Sequence, residues 1–335
     1  MKQKASFYKK LDENKVRCNL CSHNCIIKTG DMGICNVRKN IDGELYSMIY
    51  GSASSVAADP IEKKPLFHFH PGTKAFSLGT VGCNFKCRYC QNSEISTAGS
   101  DFSYIRQIEP EDVIDMCNNY NCQGIAWTYN EPTIWHEFAY DTSKLAKKHD
   151  FYTCYVTNGY ISEEALREIS SVLDAMNIDV KAFTDDFYKN ICKARLNPVL
   201  DTCILAKDLG IHIELTYLVI PSMNDSRGEI DGFLRWIVDN LGNDVPLHFS
   251  RFHPDYMMKN IQSTPLKTLK RIYKDAKNKG VKHVYLGNIL SSDYENTFCP
   301  KCGNICIKRS GFDTEIIGMK DGKCINCGEK LNILR

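Results

Sequence analysis

Cys83, Cys87 and Cys90 follow an apolar stretch at residues 75–78 with Cys-x3-Cys-x2-Cys spacing. Three thiolates on so short a loop can converge on one soft metal centre. A structural zinc is normally closed by four protein ligands, and a simple four-iron cluster by four cysteines. Three leave one iron open to a small molecule, the arrangement of a metal site that does chemistry. The plainer reading is a zinc knuckle whose fourth ligand lies elsewhere in the chain.

Two further cysteine sets flank the triplet. Cys299 and Cys302 pair with Cys324 and Cys327 as two Cys-x2-Cys knuckles, each followed by a glycine, which matches a zinc ribbon. A second iron–sulfur cluster is the alternative there. Cys18, Cys21, Cys25 and Cys35 form the N-terminal set, where Gly30 and Gly33 permit the tight loop that convergent thiolates need. Tetrahedral thiolates suit zinc and iron–sulfur clusters alike. Zinc is expected, while an auxiliary cluster would offer a relay for electrons. Cys117, Cys122, Cys154, Cys192, Cys203 and Cys306 lie mostly in apolar periodic segments and read as small buried hydrophobes.

These sites must be positioned by a regular frame. Short apolar runs at 75–78, 124–128, 152–157, 175–180, 212–219, 247–252 and 283–286 read as buried parallel strands. Between them lie helical patterns: Val113, Met116, Cys117 and Tyr120; Leu166, Ile169 and Val172 after a Ser162 cap; Ile230, Phe233, Leu234, Ile237 and Leu241 before Gly242; and Leu266, Leu269, Ile272 and Tyr273 before Gly280. Such alternation gives an α/β fold with a parallel sheet, doubly wound or curled into a partial barrel. In both, ligands gather at the carboxyl ends of the strands.

Composition narrows the class of partner. The 335 residues carry 42 basic and 40 acidic side chains, a net charge of +2 that gives no electrostatic case for nucleic acid or an anionic membrane surface. No apolar run approaches a membrane span, and no apolar leader opens the sequence. Seventeen cysteines, eleven of them at metal-ligand spacings, then imply a reducing, cytoplasmic compartment.

Polar residues cluster just past the predicted strands. Tyr129, Asn130, Glu131 and Pro132 follow the second; Thr157, Asn158, Gly159 and Tyr160 the third; Asp179 and Lys181 the fourth. Together with the triplet and its Tyr89, these resemble the pyruvate-formate-lyase-activating branch of the radical S-adenosylmethionine (SAM) superfamily. Within that branch, residues 64–72, 249–255 and 285–288 and both flanking cysteine segments are similar to the AmmeMemoRadiSam system radical SAM enzymes. The similarity covers nearly the whole chain. It implies a partial (β/α)6-type barrel at 61–297, an N-terminal cysteine-rich module at 1–60 and a C-terminal zinc ribbon at 298–335.

The resemblance also implies roles. Cys83, Cys87 and Cys90 would hold a 4Fe–4S cluster whose open iron is chelated by SAM. The backbone around Tyr89 would contact adenine, and Glu131 would receive the methionyl ammonium. Asn158, Asp179 and Lys181 would lie along the SAM or substrate channel, although the last two could equally form a structural ion pair. His68, His70 and His253 fall near strand ends and could touch substrate, with a hydrogen-bonded structural role ranked above that. A reduced flavodoxin or ferredoxin would donate electrons, and Memo-like and AMMECR1-like proteins would be partners. Three functions are weighed: a SAM-cleaving enzyme acting on an unidentified substrate, an activase that installs a glycyl radical on a partner protein, and a non-catalytic metal-stabilised scaffold.

Overall fold

The computed structural model describes residues 2–289 and 292–335. All seven expected strands form and pair in chain order. β1 (Ser55–Pro60) runs antiparallel to β2 (Lys74–Gly79). β3 (Gly124–Trp127), β4 (Tyr152–Thr157), β5 (Ala175–Asp179), β6 (His212–Val219), β7 (Leu247–Arg251) and β8 (Val284–Gly287) then follow in parallel. A doubly wound sheet reverses its strand order at a switch point. This sheet never does, so right-handed crossovers lay the connecting helices on one face. They are α1 (Pro110–Asn119), α2 (His136–Lys147), α3 (Glu163–Ile169), α4 (Asn197–Asp208), α5 (Arg227–Leu241) and α6 (Leu266–Asn278). The Ser162 hydroxyl caps α3 by accepting from the Ala165 N–H at 3.3 Å.

Strand alternation sends Phe76, Leu78, Ile125, Trp127, Tyr155, Met176 and Ile178 into the large core shared with the helices. The opposite face carries Ala75, Ala126, Cys154 and Ala175, which pack with Ile61, Leu66 and Phe69. Small residues on that face leave a lumen, and the segment between β1 and β2 fills its lower part. Glu214, fully buried on β6, pins this plug. Its carboxylate accepts the His68 backbone N–H at 2.7 Å and the Nε2 donors of His212 at 3.1 Å and His248 at 2.7 Å. The His68 ring donates from Nδ1 to the Asn332 carbonyl at 2.9 Å, leaving Nε2 to accept from the Tyr285 hydroxyl at 2.7 Å.

The N-terminal residues form small antiparallel sheets, and Val16, Leu20, Val37, Leu45 and Ile49 join the main core. A buried Arg38–Glu137 ion pair ties them to α2, and the Trp135 indole donates to the Ile49 carbonyl at 2.7 Å. The C-terminal residues keep a separate core of Cys306, Ile307, Met319, Leu331 and Ile333. From there the chain returns beneath the lumen, where Leu334 bridges Phe69 and accepts the His70 N–H at 2.8 Å. Arg309 donates to the Phe67 carbonyl at 2.7 Å. Among the described residues no helix is long and apolar enough to cross a membrane.

Burial opposes the Glu214 charge, but hydrogen bonds from His212 and His248 and their positive potential outweigh it and hold the carboxyl well below its ordinary 4.5. A depressed folded pKa contributes stability that is present above the unfolded value and lost as pH falls through the folded one. Glu214→Ala is expected to cost about 3–5 kcal/mol in urea denaturation, because it leaves His68 and both imidazoles without their acceptor. Glu214→Gln should lose less and show a shallower fall in stability below pH 4.5. An acid limb identical to wild type would remove Glu214 as the anchor.

Candidate functional site

After β2 the chain turns through residues 80–82 into Cys83. Asn130 staples that turn, accepting the Thr80 N–H at 3.1 Å and donating to the Gly82 carbonyl at 2.7 Å. Gly82 adopts φ +83°, and a Cβ there would stand 2.6 Å from the Cys35 carbonyl, so only glycine fits. A π-helical turn at Tyr188–Cys192 holds the other side of the loop. Its Cys192 and Ile191 carbonyls accept the N–H groups of Lys86 at 2.9 Å and Arg88 at 3.2 Å. The Arg88 carbonyl accepts the Met257 N–H at 3.0 Å. Three separate elements therefore fix the backbone that bears the triplet.

Cys83, Cys87 and Cys90 face a cavity of about 300 Å³. Tyr89, Glu131, Asn158, Asp179 and Lys181 line the same cavity, so every residue expected around the triplet is brought to it. Its far wall includes Ser250, next to Arg251 at the end of β7, and Asn288, just past the end of β8. Six strand steps from β2 to β8 would span about 29 Å in a flat sheet at about 4.8 Å each, so the sheet must curl to close one cavity. Pro65 of the plug forms part of the floor, with its carbonyl held by the Asn177 amide at 2.8 Å.

Glu131 is almost wholly buried. Its carboxylate accepts from the Thr133 N–H at 3.0 Å, the Thr157 hydroxyl at 2.7 Å and the Asn158 N–H at 2.8 Å. Burial still raises its pKa above the ordinary value despite these donors. The Asn158 side-chain amide donates to Asn84 Oδ1 at 2.8 Å and lies 4.0 Å from Cys83 Sγ. Lys181 pairs with Asp179 at 2.6 Å. Burial works against the Lys181 charge, but Asp179, and after it Cys87, hold the ammonium above its ordinary range. Tyr89 is buried, with its hydroxyl 3.8 Å from Cys192 Sγ.

The positioning residues Asn84, Asn130 and Cys192 were not singled out in the sequence. Asn130 sits inside a motif picked for its neighbour Glu131, and a polar side chain at a strand end was the available signal. Nothing in the sequence marks Cys192, since its contact with the loop arises only in the fold. His68 and His70 lie at the opposite end of the lumen, His70 stacked on Tyr152 with centroids 4.9 Å apart. His253 is exposed and its Nδ1 lies 3.3 Å from the Ser263 hydroxyl.

The C-terminal cysteines converge as their spacing predicts. The Cys299–Cys327 and Cys302–Cys324 sulfurs stand 3.5 and 3.7 Å apart. Thiolates around one tetrahedral ion with bonds of about 2.3 Å stand about 3.8 Å apart, so this is a four-cysteine metal site. The N-terminal cysteines line one small, largely apolar cavity with Arg38, His23 and Asn84.

The family profile of the radical SAM superfamily matches residues 77–236, the span from β2 into α5. An uncharacterized protein of Methanocaldococcus jannaschii is 47% identical over 334 residues, covering 99% of both chains. The pyruvate formate-lyase-activating enzyme of Clostridium pasteurianum is 22% identical over 211 residues, which span 58% of this chain and 86% of that one. Among solved structures, Streptococcus suis SuiB bound to S-adenosylmethionine aligns with a TM-score of 0.51 at 10% identity, over 68% of this chain and 55% of that chain, a likeness of fold. With the triplet at the mouth of the curled parallel sheet, the chain belongs to the radical SAM superfamily and is a radical SAM enzyme distantly related to the glycyl-radical activating enzymes.

Proposed function

We propose that the cavity beside Cys83, Cys87 and Cys90 is where S-adenosylmethionine is reductively cleaved at a 4Fe–4S cluster, and that the chain directs the resulting 5′-deoxyadenosyl radical at a carbon–hydrogen bond of its substrate. The observation that carries this reading is the convergence of the three cysteines with Glu131, Asn158, Asp179 and Lys181 on one cavity. The scaffold alternative gives way with family membership. In this reading the parallel strands β2 to β8 form the partial (β/α)6-type barrel of residues 61–297, and the four-cysteine site at 298–335 is a zinc ribbon.

The donor set fits the proposed ligand. An ionised carboxylate has about four acceptor positions, and Glu131 uses three internally, leaving one for an ammonium presented from the cavity. The Asp179–Lys181 pair offers both signs of charge to a zwitterionic or ribosyl group, and the Tyr89 backbone lies where an adenine edge could be met. Asn158 holds Asn84 beside Cys83, fixing the side of the loop nearest Glu131. The protein's task is to orient its ligands and exclude water, since the cofactor pair carries the hard chemistry.

The finer assignment to the AmmeMemoRadiSam system is supported by where its three segments fall. Residues 64–72 belong to the plug, and 249–255 and 285–288 form the β7 and β8 ends of the same lumen. That assignment brings Memo-like and AMMECR1-like partners, a flavodoxin or ferredoxin as reductant, and a cytoplasmic setting. Similarity to pyruvate formate-lyase-activating enzymes favours a second reading, an activase acting on a glycine of a partner protein.

Anaerobically reconstituted wild-type protein with SAM and dithionite is expected to release 5′-deoxyadenosine, and Cys87→Ala to fall to background. Full turnover in Cys87→Ala would sink the cluster assignment. Glu131→Gln should weaken SAM binding about 10- to 100-fold, the scale of one charge-assisted hydrogen bond, as measured by equilibrium dialysis. Unchanged affinity would reassign Glu131 to a purely internal role. Deuterium appearing in 5′-deoxyadenosine from a glycine-labelled partner protein would favour the activase, and label from a small molecule would exclude it.

A further inference from the structure

We infer that Cys18, Cys21, Cys25 and Cys35 hold a second iron–sulfur cluster, set against the backbone of the triplet, and not the zinc expected from sequence. Sulfur spacing separates the three cysteine sets. A single tetrahedral ion draws its thiolates to about 3.8 Å from one another. A cubane cluster keeps them farther apart, because each thiolate caps a different iron at a corner of the cube. Among the described residues, Cys299, Cys302, Cys324 and Cys327 form the one group in which three or more ligand atoms lie within 4.8 Å of one another. Neither the N-terminal quartet nor the Cys83, Cys87 and Cys90 triplet brings three sulfurs that close together.

The quartet also surrounds space. Its cysteines line a cavity of about 20 Å³, space that a lone ion bound by four thiolates does not need. Leu20, Ile27, Ile34 and Ile134 make the walls apolar, and Gly33 removes a side chain whose Cβ would stand 3.8 Å from Cys25 Sγ. Cys18 and Cys35 are buried and Cys21 and Cys25 half-buried, and solvent exposure is one of the levers that set a cluster's potential.

The wall shared with the triplet is one residue thick. Asn84 lines the N-terminal cavity, while its neighbours Cys83 and Phe85 line the other. The His23 ring bonds the Asn84 carbonyl at 2.7 Å, and the Cys35 carbonyl lies against Gly82. A low-potential one-electron carrier protein would reduce the N-terminal cluster, which would pass that electron across Asn84 to the cluster held by Cys83, Cys87 and Cys90, with no bond made or broken. This relay role rests on the function proposed above, whereas the cluster itself does not.

The test is metal and sulfide analysis, with electron paramagnetic resonance after dithionite, on anaerobically reconstituted full-length protein. The Cys83→Ala/Cys87→Ala/Cys90→Ala variant should retain about four iron and four sulfide per chain, half the wild-type content, with about one zinc. Retained zinc and an unchanged circular dichroism spectrum establish that it is folded. Cys21→Ser/Cys25→Ser in the intact-triplet background should likewise lose about half the iron. Two zinc and background iron in the triple variant would overturn the inference while leaving the triplet's assignment standing. A triple variant with the same four iron as wild type would instead support the N-terminal cluster and sink the triplet's. Background iron in wild type would overturn both.

Discussion

A curled sheet has one lumen with two ends, and this protein closes one so that the other can remain a cavity. The closure depends on Glu214. A carboxylate with no exposure must find donors or be neutralised, and here it finds the His68 backbone and two imidazoles. That anchoring sets the depth of the plug. The plug in turn places Pro65 at the cavity floor and obliges β2, β3, β4 and β5 to carry Ala75, Ala126, Cys154 and Ala175 where larger residues would collide. Apolar filling below and polar strand ends above are therefore two results of one constraint.

The cysteine loop shows the complementary principle, that a metal-binding segment with little regular structure must borrow its rigidity. Asn130 supplies it from beyond β3, the π-helical turn from between β5 and α4, and Met257 from beyond β7. Insertion of an extra residue into a helix turn is favoured where a backbone group must be redirected. Here the redirected carbonyls of Ile191 and Cys192 meet Lys86 and Arg88, and Lys193 closes the turn in the left-handed region at φ 60°.

The parallel strands were legible because each is a compact apolar run, and α3, α5 and α6 because caps and glycines bound them. Residues Glu131, Asn158, Asp179 and Lys181 were legible because strand order delivers strand ends to one place. β1 escaped notice: its Ser55, Val56, Ala57 and Ala58 have modest strand propensity, and as an edge strand it alternates between half-buried and exposed. α4 escaped for the opposite reason. It packs against both α3 and α5, which erases the one-sided apolar stripe that marks a surface helix. Asn84 and the π-helical turn were invisible because their roles are contacts between segments distant in sequence.

The plug's most sequence-distant contacts are with Asn332 and Leu334. His68 bonds the carbonyl of Asn332 across a separation of 264 residues, and Leu334 bridges Phe69. Closing so long a loop comes late, because its entropy must be met before the contact forms. During synthesis the lumen therefore cannot be sealed until Asn332 and Leu334 have left the ribosome. Cys324 and Cys327 pack in the same small core as Ile333, one residue before Leu334, so a metal bound by those cysteines would steady the segment that closes the lumen.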